Sequence, residues 1–222
     1  MLRYALACFT LIGITGCQTL DPAMGPSSNE SRPGVIVLPT SGGVHHEPEY
    51  AATLSRQGFQ TIVEDYHQSG YYDRIDEAYD KLRSDPRVGK IGIVGFSRGG
   101  YVAGNYSIFQ HSIRNSGRKI DAIVGFYVGS RPPHVPTDVE AEALPPYLFL
   151  QGEKDNYIPP WQLKNFCARV NPNGEKCNVV EFKGVGHAFD QVRTKPYYSG
   201  YDRNATDQSY KMAVEWLNKW LR

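Results

Sequence analysis

What the 222-residue chain lacks narrows the field first. Neither sign of charge is in excess, with 24 Lys and Arg against 23 Asp and Glu. A formal balance of +1 sets up no field that would gather phosphate backbones from a distance, so nucleic acid is not an expected partner. No apolar run reaches the roughly 20 residues that a membrane-spanning helix needs. With four cysteines and no internal repeat, a disulfide-dense scaffold and a solenoid are also excluded. What is left, at 41% hydrophobic and 21% charged residues, is an ordinary globular chain long enough to bury a core without staples.

An apolar run from Tyr4 to Ile14 follows Met1-Leu2-Arg3 and ends at Ile14-Thr15-Gly16-Cys17. A positive start, a run too short to span a bilayer and a small-residue ending predict a cleaved export signal over residues 1–16. The ending resembles a bacterial lipoprotein signal, which implies that Cys17 is lipidated and becomes the first residue. By the same resemblance, Gln18 beside it favours the outer membrane where a cell has two. Residues 17–33 are small, polar and proline-bearing without apolar periodicity, and are expected to be the lipidated cysteine and a flexible tether reaching about 50 Å at most. The membrane is thus expected as a partner through lipid, with residues 34–222 as the folded domain. Cys8 leaves with the leader and Cys17 takes the lipid, so Cys167 and Cys177 remain to form a disulfide in an oxidising compartment.

From residue 34 short β-branched runs alternate with longer stretches at helical spacing. The strand candidates are Val35 to Leu38, Gln60 to Glu64, Ile91 to Gly95, Ala122 to Tyr127, Tyr147 to Gln151 and Asn178 to Phe182. Helical spacing follows Pro48 (Tyr50, Ala51, Leu54), runs through Tyr72, Ile75, Tyr79 and Leu82 up to Asp85-Pro86, and recurs at Tyr210, Ala213, Val214, Leu217 and Leu221. The alternation predicts an α/β fold: a mostly parallel sheet of about six strands with helices on both faces and a minimal cap in the proline-rich residues 130–145.

The third of these strands runs straight into Gly95-Phe96-Ser97-Arg98-Gly99-Gly100, and a helix-compatible stretch follows. A serine between glycines at a strand-to-helix turn has its hydroxyl lifted above the sheet and sits where helix amides favour developing negative charge. Gly-x-Ser-x-Gly alone is a weak signal. Two further strand-end loops strengthen it: Gln151 to Pro159 carries Asp155, which could orient an imidazole, and Lys183 to Phe189 carries His187, a candidate general base. The order Ser97, Asp155, His187 is the chain order expected of an α/β-hydrolase triad.

The segments Val35 to Gly43, Asp85 to Gly100, Leu148 to Pro159 and Gly184 to Phe189 resemble the dienelactone hydrolase family of the α/β-hydrolase superfamily, over nearly all of residues 34–222. The resemblance implies a sheet beginning at the superfamily's third strand and a site at the strands' carboxyl ends; the expected triad chemistry itself needs no cofactor. Dienelactone hydrolases proper use a cysteine where this chain has Ser97, so lactone specificity does not carry over. Many superfamily members have His-Gly where this chain reads Pro39-Thr40-Ser41-Gly42-Gly43. An oxyanion hole built from backbone amides tolerates that change, with the Arg98 amide as one donor and that of Thr40 or Ser41 as the other.

These readings converge on a serine hydrolase of carboxylic esters acting through an acyl-enzyme on small-molecule or polymeric substrates. Activity is expected to rise as the imidazole loses its proton. A peptidase or acyltransferase using the same residues, or a silent binding lipoprotein, are the rivals; oligomeric state is not legible. Asp65 reads as a loop or capping residue, His45, His46, His67, His111 and His134 as no metal site, and Arg98 and Arg131 as surface arginines able to meet a carboxylate. Phe96, Tyr66, Tyr71, Tyr72, Tyr157, Trp161, Phe189, Tyr197, Tyr198 and Tyr201 follow strand ends; they are either the lining of an aromatic cleft or half-buried structural rings, and the second reading carries more weight.

Overall fold

The computed structural model describes residues 31–66, 70–110, 116–134, 143–171, 174–192 and 200–222. The expected signal over residues 1–16, Cys17, His67, His111, Tyr197 and Tyr198 lie outside them. Six strands form one parallel sheet: β1 (Arg32–Leu38), β2 (Gln60–Val63), β3 (Val88–Phe96), β4 (Ala122–Phe126), β5 (Tyr147–Gly152) and β6 (Cys177–Phe182). They are ordered β2-β1-β3-β4-β5-β6. The chain builds outward from β1 to β2, returns across β1, and then adds strands on the other side. Strand order therefore reverses between β1 and β3, which opens a crevice at their carboxyl ends.

Each expected strand is present, and β1 starts earlier than expected. Arg32 pairs with Val88, and the register slips between Arg32 and Gly34. Pro33 has no N–H to give the ladder, so the slip lets the strand pass over it. The fold thus claims two residues that composition had assigned to the tether.

Alternation along the strands sorts the core into two layers. Val35 and Val37 of β1 face one way, with Tyr50, Ala51 and Leu54 of α1 (Glu47–Arg56) and Ala213, Leu217 and Leu221 of α5 (Arg203–Leu221). Ile36 and Leu38 face the other way, with Ile75, Tyr79 and Leu82 of α2 (Tyr71–Arg83) and Val102, Ala103 and Tyr106 of α3 (Arg98–Phe109). A fifth helix, α4 (Pro160–Val170), which the strand-and-helix reading did not single out, joins this second layer through Leu163, Phe166 and Val170. Its last turn is tied to the start of β6 by the Cys167–Cys177 disulfide. No helix among the described residues is long and apolar enough to cross a membrane.

Candidate active site

Ser97 is the residue at which β3 turns into α3. Its backbone sits at φ 52°, ψ −116°, a conformation that costs a non-glycine residue of order 1–3 kcal/mol. The surrounding hydrogen bonds over-determine it. Ser97 N–H donates to the Phe126 carbonyl at 2.9 Å, and the Ser97 carbonyl accepts from Gly100 N–H at 3.0 Å and Gly129 N–H at 2.9 Å. The turn is so tight that a Cβ on Gly95 would lie 2.3 Å from the Gly99 backbone, which explains the two flanking glycines. All four non-glycine residues with positive φ among those described, Ser97, Tyr127, Ser130 and Ala188, follow carboxyl ends of strands or lie beside His187.

His187 enters from the loop after β6. Its Nε2 lies 2.8 Å from Ser97 Oγ, and its Nδ1 lies 2.8 Å from Asp155 Oδ2. Asp155 comes from the loop after β5, and its Oδ1 accepts the N–H groups of Tyr157 at 2.9 Å and Ile158 at 3.4 Å. The carboxylate is enclosed, and none of its contacts among the described residues is a lysine or arginine. Three residues separated by 58 and 32 positions in the chain thus meet in one hydrogen-bonded row. With Oγ bonded to Nε2 and Nδ1 bonded to an acid, the imidazole is placed to accept a proton on one side while the other side stays fixed.

The row opens into a cavity of about 400 Å³ lined by Ser41, Ser97, Arg98, Tyr101, Gly129, Ser130, Arg131 and Tyr157. A Cβ on Gly129 would stand 2.8 Å from Ser97 Oγ and 3.3 Å from the Arg98 nitrogen. Glycine there keeps open the space between the hydroxyl and that amide. The two candidates for a second amide donor separate. Thr40 N–H already donates to Glu47 Oε1 at 3.3 Å and Thr40 is buried, whereas Ser41 lines the cavity and its N–H has no partner among the described residues.

Among the described aromatics the structural reading prevails over the cleft: Phe96, Tyr66 and Phe189 are buried in or under the core, and Tyr72 packs against the α2 and α3 layer. Phe96 stacks on Phe126 beneath the site, because the alternation that lifts Ser97 above the sheet sends its neighbour into the layer below. Trp161 and Tyr201 are exposed but do not line the cavity. Of the expected aromatics, Tyr157 lines it, tilted over the His187 ring at 4.5 Å between centroids, and Tyr101 joins it. Arg98 and Arg131 both reach the cavity, and neither is paired with a carboxylate among the described residues. Arg131 instead donates from Nε to the Tyr101 hydroxyl at 3.1 Å and lies over that ring.

Two residues with no sequence signal support the site. Glu47, fully buried at the start of α1, accepts the Thr40 N–H and, at 2.7 Å, the His45 N–H, which shapes the loop presenting Ser41. Asp190 accepts the Tyr127 hydroxyl at 2.7 Å and lies 3.1 Å from His46 Nε2. Burial, reinforced by that carboxylate, holds the Tyr127 phenol well above its usual range, so Tyr127 packs edge-on against His187 as a neutral ring.

Comparison with known proteins agrees with this architecture. A protein of Bradyrhizobium described as a probable 2-oxo-3-(5-oxofuran-2-ylidene)propanoate lactonase is 25% identical over 212 residues, 81% of this chain and 82% of that relative. Among solved structures, a dienelactone hydrolase-like promiscuous phosphotriesterase from metagenomic libraries superposes with a TM-score of 0.71 at 22% identity, covering 87% and 88% of the two chains. A carboxylesterase from Lactobacillus plantarum WCFS1 gives 0.68 at 18% identity, with 86% of each chain covered. These likenesses show a shared fold. The model of the dienelactone hydrolase family matches residues 67–221, well over half of the chain, and the chain belongs to that family of ester hydrolases.

Proposed function

We propose that the chain is a serine hydrolase of carboxylic esters, with Ser97 as nucleophile, His187 as general base and acid, and Asp155 as the group holding the imidazole tautomer. Ser97 Oγ attacks the ester carbon as its proton passes to His187 Nε2. The oxyanion is met by the N–H groups of Arg98 and Ser41. Collapse expels the alkoxide, which takes the proton back from Nε2, and a water activated by the same imidazole releases the acid from the acyl-enzyme. The observation that carries the reading is the pair of 2.8 Å contacts joining Ser97, His187 and Asp155 at the mouth of a cavity. A cavity of about 400 Å³ suits a small ester or a single unit of a polymeric one.

The acidic half of the substrate is suggested by charge. Two arginines without carboxylate partners and no acidic residue line the cavity, which favours an ester bearing a carboxylate or another anionic group. Export as a lipoprotein anchored through Cys17 belongs to the same proposal and rests on the residues 1–17 pattern; the Cys167–Cys177 disulfide accords with an oxidising compartment.

The test is an ester panel, with and without a free acid group, run on wild type and on Ser97→Ala, together with labelling by a fluorophosphonate. Wild type is expected to release acid without any added acceptor and to be labelled, and Ser97→Ala to lose at least about a thousand-fold in kcat. An unlabelled wild type, or a fully active Ser97→Ala, refutes the assignment; cleavage only in the presence of an acceptor alcohol, with the acyl group recovered as a new ester of that alcohol, indicates a transferase.

A further inference from the structure

Gln151, the last residue but one of β5, is wholly enclosed. Its Oε1 accepts the Val128 N–H at 2.9 Å. Its Nε2 donates to Asp155 Oδ2 at 2.8 Å and to the Ile158 carbonyl at 2.9 Å. These partners fix which way round the amide lies, since a flip would set its oxygen against a carboxylate and a carbonyl, and its NH₂ against an N–H.

Asp155 Oδ2 is the same oxygen that faces His187 Nδ1, so the Gln151 amide and the imidazole share one acceptor. No cation helps this buried carboxylate among the described residues; its charge is spread over the amide, the imidazole and two backbone N–H groups. A second donor on Oδ2 weakens the pull of that oxygen on the imidazolium that forms when His187 takes a proton. At its other end the amide holds Val128, whose neighbour Gly129 donates to the Ser97 carbonyl. One side chain therefore couples the loop carrying the acid to the backbone that grips the nucleophile.

We infer that Gln151 is a positioning residue that both orients Asp155 and sets the proton affinity of His187. It touches no substrate atom and acts through Asp155, and the inference rests on the Ser97, His187, Asp155 reading above. Gln151→Met keeps much of the volume and removes all three hydrogen bonds. Asp155 Oδ2 then has the imidazole as its remaining side-chain donor and the imidazolium is favoured. The acid limb of the kcat/KM profile moves to higher pH, by about half a unit or more, and kcat falls about ten-fold or more while KM changes little. Gln151→Glu gives a second signature. Its protonated carboxyl can still donate to Oδ2 and accept from Val128, while its ionised form faces Asp155 with no donor. Activity should survive at low pH and collapse on ionisation, which adds an alkaline limb.

A merely structural role would lower activity by the same factor at every pH, leaving the acid limb where it is in Gln151→Met and adding no alkaline limb in Gln151→Glu, and that result overturns the inference. Melting curves identify which variants fold. Should Gln151→Met fail to fold, Gln151→Glu decides, and a profile with no added limb overturns the proposal. Ser97→Ala runs alongside. If it keeps activity, the catalytic reading itself has failed; if it is dead while the limbs of the Gln151 variants stay put, only the role given to Gln151 is lost.

Discussion

At the residue scale, the site is held by side chains that serve others as much as by those placed to react. Ser97 keeps a backbone conformation that free serine avoids because four backbone hydrogen bonds, one given by its N–H and three accepted by its carbonyl, leave it no alternative. Of the two candidate loop amides, Thr40 N–H is engaged by Glu47, whereas Ser41 lines the cavity and its N–H has no partner among the described residues. Ser41→Pro deletes that N–H, and kcat should fall about a hundred- to a thousand-fold with KM little changed. Ser41→Ala, which keeps the amide, should stay near wild type. Steady-state kinetics on an aryl ester check both, and a Ser41→Pro enzyme of undiminished kcat would remove Ser41 from the proposed hole. Ser97, Asp155 and His187 were legible because each follows a strand in a glycine-bearing loop. Glu47 and Gln151 were not, since nothing local marks a Glu that will accept an N–H seven residues back, or a Gln that will reach Val128 across 23 residues.

At the element scale, short apolar runs rich in β-branched or aromatic residues located every strand among the described residues, and the apolar spacing of α1, α2 and α5 located those helices. α4 escaped because Pro159 and Pro160 read as the continuation of a polar loop, although proline suits a helix's first turn and Leu163, Phe166, Cys167 and Val170 recur at three and four residues. The choice between cleft and structural rings stayed open in the sequence for a related reason: proximity to a strand end says nothing about which face a ring will take. α4 and the edge strand β6 carry the one covalent tie of the described fold, Cys167 to Cys177, closing a segment of separation 10. On the chain-entropy account the crosslink stabilises by roughly 3 kcal/mol. The Cys167→Ser, Cys177→Ser double variant should therefore melt roughly 6–12 °C lower for a domain of this size. Because the disulfide meets β6 at its first residue, while His187 follows its last, activity at low temperature should be nearly intact. Melting with and without reductant tests this, and an unchanged midpoint would show that the tie adds nothing.

At the scale of the whole molecule, the parallel sheet separates the place where the chain enters from the place where the site lies. Arg32, where β1 begins, lies at the amino-terminal edge of the sheet, beside Val88. Ser41, Ser97, Asp155 and His187 all follow carboxyl ends of strands. Seven residues of β1 put roughly 23 Å between the two edges. If lipid is carried by Cys17, as proposed, the anchor joins the chain upstream of the edge remote from the cavity. Cys17→Ser, expressed with its leader, should then pass from the membrane fraction to the soluble fraction while keeping its kcat/KM for a water-soluble aryl ester within about two-fold, since only the tether is altered. Fractionation followed by assay of equal amounts of enzyme measures both halves of the expectation. Retention of the variant in the membrane fraction would contradict the lipid anchor, and release accompanied by a large loss of kcat/KM would contradict the separation of anchor from site.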